Sequence, residues 1–137
     1  MRALSTDARV EIQDLYSRYN EFIDHDRFDE WLDLFTDDGV ADFASGFFRG
    51  REQLEGYVRE RAEREAEQPY DSAQHWNTNL VLSERDGVVH GSCYLVRFAI
   101  DRKTRAQGVI NVGRYEDEIV QVSGRWRFRR RQVFLFE

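Results

Sequence analysis

Apolar side chains at Ala8, Ile12, Leu15, Tyr16, Tyr19, Phe22 and Ile23 recur at steps of three and four, which predicts an amphipathic helix over residues 5–24. Ser5 or Thr6 can cap its start. After the polar break His25-Asp26, the run Phe28, Trp31, Leu32, Leu34 and Phe35 predicts a shorter second helix, stopped by Thr36-Asp37-Asp38-Gly39. A brief strand over 40–44 follows. Ser45-Gly46 and Gly50 then mark the connection to a third helix over 51–68, ended by Pro69. Its stripe of Leu54, Tyr57, Val58 and Ala62 is narrow, so one side should pack and the rest should face water.

The second half changes period. β-branched and aromatic residues dominate, and strands are predicted over 72–84, 88–101, 105–122 and 125–136. Arg85-Asp86-Gly87, Arg102-Lys103-Thr104 and Ser123-Gly124 supply the turns. Helices first and an antiparallel meander afterwards is an α+β order, without the alternation that builds a parallel sheet. Strands this long twist and curl, and a curled sheet cups the helices that precede it. No linker or repeat interrupts the pattern, so residues 1–137 are read as one domain, consistent with the length.

Composition narrows the function classes. Ten Phe, six Tyr and three Trp provide material for a core and for an apolar pocket. A formal net charge of −6 argues against a nucleic-acid partner. The cluster Arg125, Arg127, Arg129, Arg130 and Arg131 lies on a predicted strand and reads as a solvated or salt-bridged face. The lone Cys93 permits no intramolecular disulfide and no thiolate zinc motif. Residues 1–12 contain no apolar signal segment, and no stretch is apolar enough to span a membrane, so the expected location is cytoplasmic. No metal is expected, because the three histidines fall in separate segments; no phosphate loop, dinucleotide fingerprint or nucleophile elbow appears. That leaves acid–base chemistry without a cofactor.

Two residues stand out as candidates for it. Asp24 ends the first helix next to its apolar stripe, where the helix dipole disfavours a carboxylate. His75 lies on a predicted strand whose alternation puts it on one face with Asn77 and Asn79, and puts Trp76, Thr78 and Leu80 on the other. Imidazole suits proton transfer near neutral pH. His25 and His90 sit beside turns and read as surface residues.

Several segments together resemble the SnoaL-like branch of the nuclear-transport-factor-2-like superfamily, which includes scytalone dehydratase, bile-acid dehydratase and polyketide cyclases. They are Leu15-Tyr16-Ser17-Arg18-Tyr19 with Ile23-Asp24, the stretch from Phe28 to Gly39, Gln74-His75-Trp76-Asn77-Thr78-Asn79, Gly113-Arg114-Tyr115-Glu116-Asp117 and Gly124-Arg125-Trp126-Arg127-Phe128. The resemblance implies a cone-shaped α+β barrel, with three N-terminal helices packed on a strongly curved, mostly antiparallel sheet. It implies that Asp24 orients His75 as general acid–base, with Asn111 at a substrate-contacting position. The positions of two tyrosines and a second histidine are taken by Ile23, Phe43 and Cys93, which implies a more apolar pocket. Tyr19, Phe43, Trp76, Asn79, Cys93, Tyr94 and Asn111 are its candidate substrate-binding residues.

The resulting expectation is a dehydratase, isomerase or cyclase acting on a small hydrophobic polyketide-, aromatic- or steroid-like substrate. A non-catalytic binding or assembly module of the same fold is the alternative. Epoxide opening would need two acids beside Arg97 or Arg114. A homodimer is expected by the same resemblance, and Val133, Phe134, Leu135 and Phe136 suit burial there or in the core.

Overall fold

The computed structural model describes residues 4–136. Helix α1 (Thr6–Asp24) starts where the Ser5 hydroxyl accepts the Ala8 amide at 3.1 Å, and its stripe from Ile12 to Ile23 is buried. Helix α2 (Phe28–Leu32) is a single turn and a half. Strands β1 (Phe35–Phe43) and β2 (Gly46–Arg49) form a hairpin, and helix α3 (Gly50–Ala66) follows. Four long strands complete the chain: β3 (Tyr70–Arg85), β4 (Val88–Asp101), β5 (Gln107–Val122) and β6 (Arg125–Leu135). Among the described residues, no helix is long and apolar enough to cross a membrane.

The six strands form one sheet in the order β2-β1-β6-β5-β4-β3, antiparallel except where β1 runs parallel to β6. That parallel pair corrects the expected second helix. Phe35 faces Phe128, and the Phe128 amide donates to the Leu34 carbonyl at 2.8 Å, so the chain is already extended where the apolar spacing suggested helix. The partner strand lies some ninety residues downstream, outside the reach of local periodicity. The segment 46–49, expected as a connection, is likewise a strand paired with residues 40–43.

The core lies between α1, α2, α3 and the concave sheet face. Trp31, Phe35 and Phe128 gather around Tyr19, with ring centroids 5.7–6.3 Å apart in the three Tyr19 pairs. The strands bend at irregularities. In β3 the register slips between Asp71 and Gln74 and again between Thr78 and Val81, with Ser72 and Asn79 at positive φ. The second bulge breaks the predicted alternation: Asn79 is exposed, and Leu80 turns inward beside the core.

Candidate active site

The last turn of α1 lies against β3, and the two periodicities match. Four helical residues advance about 6 Å and two strand residues about 7 Å. Asn20 and Asp24, four apart on the helix, therefore meet Asn77 and His75, two apart on the strand. The Asn20 amide donates to the Asn77 side-chain oxygen at 2.8 Å. Asp24 accepts twice from His75: Oδ2 from the backbone amide at 3.0 Å, and Oδ1 from ring Nδ1 at 2.5 Å. These two donors offset the helix-end placement that disfavours the carboxylate. They also fix the imidazole, since a ring nitrogen facing a carboxylate carries the proton and leaves the other with its lone pair.

The pair is nearly enclosed, with side chains 6% and 10% exposed for His75 and Asp24. His75 forms part of the wall of a cavity of about 400 Å³ between helices and sheet. Tyr19 and Ile23 of α1, Phe43 of β1, Leu95 of β4, Asn111 and Tyr115 of β5 and Val133 of β6 share that wall. Helix α3 contributes Tyr57, Arg61 and Glu65. Burial lowers the His75 pKa to about 4; the Asp24 contact opposes this, while Arg61 and Arg97 reinforce it. The imidazole is therefore neutral at pH 7, a proton acceptor toward the cavity.

The chamber is less greasy than expected. Arg97 donates Nη1 to Asn111 at 3.0 Å and Nη2 to Glu65, which also accepts from Tyr70 at 2.6 Å and meets Arg61 at 3.4 Å. Burial alone would raise the Glu65 pKa, but Tyr70, Arg97 and Arg61 hold it below the ordinary value. Tyr19, Tyr57 and Tyr115 carry phenols whose pKa burial raises, to about 12 for Tyr115, so they stay protonated donors. Arg61, Glu65, Tyr57 and Tyr115 are site residues that sequence reasoning misses. A signal exists for the first two: they continue the row from Tyr57 at four-residue steps on the packed side of α3, beyond the apolar stripe where water was expected.

Of the predicted site residues, Asp24, His75, Tyr19, Phe43 and Asn111 converge, and four do not. Trp76 points to the opposite sheet face, 54% exposed and packed against Phe98 with ring centroids 4.1 Å apart and the planes tilted by 45°. Tyr94 is also exposed, by the same strand alternation. Asn79 is turned outward by the bulge. Cys93 is buried, but it lies toward Tyr16 rather than in the His75 cavity, and burial pushes its thiol up to about 11. For epoxide opening, Arg97 has one acid beside it, Glu65, whereas Arg114 pairs with Glu116 near the surface.

The arginine-rich strand also differs from expectation. Arg129 and Arg130 pair with Glu118 and Asp42, but Arg131 is 0% exposed. Its Nε donates to Asp117 at 3.1 Å, and Asp117 accepts the Tyr16 hydroxyl at 2.5 Å. Its guanidinium lies 3.5 Å from the Tyr115 ring centroid and 4.2 Å from that of Tyr19. Burial pushes Asp117 up to about 6 against the pull of Arg131, so the pair is ionised at neutral pH.

Helices packed on a bent sheet, with an imidazole–carboxylate pair beside the cavity between them, define an α+β pocket protein. The chain belongs to the SnoaL-like domain family, whose model matches residues 5–132. A comparison with curated proteins returns no match. Among solved structures, ActVI-ORFA from Streptomyces coelicolor superimposes with a TM-score of 0.86 at 19% identity, covering 96% of each chain. Aln2 from another Streptomyces species gives 0.84 at 24% identity, covering 98% of this chain and 94% of that one. A candidate scytalone dehydratase from Novosphingobium aromaticivorans gives 0.78 at 19% identity, covering 97% and 89%. Likenesses at these identities show the fold.

Proposed function

We propose that the chain is a cofactor-independent acid–base enzyme that enolises a small, largely hydrophobic ketone of the polyketide or aromatic type. The observation that carries this reading is the 2.5 Å contact from Asp24 to Nδ1 of His75, whose ring lines a cavity between helices and sheet. The free ring nitrogen takes a proton from the carbon next to the carbonyl, and the electron pair of that C–H bond moves into the enolate. A base with a pKa near 4 is weak, so the reading also needs donors for the enolate oxygen, and Tyr57 and Tyr115 are protonated phenols on the same wall. The imidazolium then returns its proton: to another carbon in an isomerisation, to a departing hydroxyl in a dehydration, or to the alkoxide formed when the enolate attacks a second carbonyl in a cyclisation.

All three outcomes share the first step, which can be tested without the natural substrate. In D2O, the protein should accelerate deuterium uptake at the α-carbon of 1-tetralone, read by proton NMR, and His75→Ala should return the rate to that of buffer. A second reading, a non-catalytic ligand carrier, is favoured by Ile23 and Phe43 at positions where the resemblance expects tyrosines. Tetralone that binds and yet exchanges no faster than in buffer supports the carrier and overturns the enzyme.

A further inference from the structure

Among the residues lining the His75 cavity are three guanidiniums, Arg61, Arg64 and Arg97, against one carboxylate, Glu65. Arg64 is tied outward to Glu60 at 2.6 Å, which leaves two buried cations to share Glu65. Glu65 is itself divided between both arginines and the Tyr70 hydroxyl. Among the carboxylates near these arginines, Asp24 has both oxygens engaged by His75 and Asp71 is paired with Arg102 and Arg105. Donors therefore remain unspent. Among the described residues, Arg97 Nε is buried with no partner, and the one side-chain hydrogen bond of Arg61 is the 3.4 Å contact to Glu65. A guanidinium carries five N–H donors, and a buried one left short of acceptors costs free energy unless a ligand supplies them.

We propose that the cavity takes a substrate bearing a carboxylate, which docks on Arg61 and Arg97 and thereby sets the reacting carbon against His75. This rests on the acid–base reading of the cavity and adds the substrate class: an aromatic or polyketide keto acid, whose ketone is enolised and whose carboxylate is the anchor. The planar forks suit a carboxylate, which can accept two parallel N–H bonds from one guanidinium. The apolar wall of Ile23, Phe43 and Leu95 is left for the hydrocarbon body. The arrangement also links binding to basicity. An anion beside Arg61 and Arg97 offsets the charges that hold the imidazole unprotonated, so occupancy strengthens the base at the moment it is needed.

The test is calorimetric titration with 2-naphthoate and 2-naphthamide, which share a ring system and differ in charge. The naphthoate should bind about tenfold more tightly or better, the range of a charge-assisted hydrogen bond. Arg61→Gln and Arg97→Gln should each remove most of that preference, Arg61→Lys should retain part of it, and His75→Gln should keep it. Arg61 has the fewest contacts to lose, so its variants serve even where Arg97→Gln fails to fold. Equal affinity for the two probes, or a preference that survives Arg61→Gln, overturns the proposal. The two readings separate cleanly. An arginine-dependent preference in a protein that exchanges neither 1-tetralone nor a carboxylate-bearing tetralone leaves the anion site standing and removes the enzyme, whereas ketone exchange without the preference does the reverse.

Discussion

Asp24 and Asp117 are two carboxylates sunk into the same cone, and their surroundings diverge. Asp117 is held from opposite sides by Arg131 and the Tyr16 hydroxyl, within a packing of aromatic rings that leaves Arg131 no exposure. Asp24 faces an imidazole whose other nitrogen is left to a cavity. The first arrangement closes on itself, with Arg131 Nε on Asp117 and its two terminal nitrogens set among aromatic rings; the second passes the influence of the carboxylate through a ring to the cavity wall. Burial of charge alone does not mark a site, and the difference lies in whether the last member of the chain is closed in by side chains, as Arg131 is by the Tyr19 and Tyr115 rings, or lines a cavity, as His75 does.

Substitutions should separate the two regions, and the largest effects belong to the dyad. His75→Ala should lower turnover by about 10²–10⁴-fold, the range of a positioned general base. Asp24→Asn should approach that loss, because an amide no longer dictates which ring nitrogen holds the proton; both variants should unfold at roughly the wild-type temperature. Arg131→Met should instead act on stability, at about 3–5 kcal/mol by urea denaturation, because it strands the Asp117 charge in the core. Adding Asp117→Leu to Arg131→Met should recover part of that loss. A dyad variant that unfolds as Arg131→Met does, or an Arg131→Met protein of wild-type stability, would erase the distinction.

A smaller effect appears with pH. Burial lowers His75 from 6.5 to about 4, so between those values the unfolded chain binds a proton that the folded chain does not. The His75 contribution is then fully present above pH 6.5 and is lost as pH falls toward 4, on the order of 3 kcal/mol. His75→Gln should abolish that component, seen as a smaller loss of unfolding free energy between pH 7.5 and pH 4.5. The smallest effect is expected at Trp76, which lies on the outer sheet face: Trp76→Ala should leave ketone exchange unchanged.

Much of this geometry is legible in the chain. The three- and four-residue steps of Ile12, Leu15, Tyr19 and Ile23 mark α1, and the β-branched runs mark four of the six strands, because both signals are local. The strand character of 35–39 is not legible, since it depends on pairing with β6 across most of the sequence. Asn79, Trp76 and Tyr94 show a related limit: a bulge reverses the face of one, and alternation cannot say which face of the sheet is concave. Arg61, Glu65 and Arg131 are hidden by the rule that charged residues face water, which holds until an opposite charge lies beside them inside. The sequence resemblance singles out Asp24 and His75; the i,i+4 to i,i+2 match of α1 and β3 supplies the physical reason they meet.

The claim on which the rest depends is that His75 presents an unprotonated nitrogen to the cavity while Asp24 holds the other as N–H. Nitrogen-15 NMR of the protein labelled in its histidine rings measures this directly across a pH titration. One His75 tautomer is expected, protonated at Nδ1 and bare at Nε2 from pH 8 down to near 4, with Asp24→Asn disturbing that preference. A His75 ring that titrates near 6.5 with mixed tautomers, unchanged by Asp24→Asn, would contradict it.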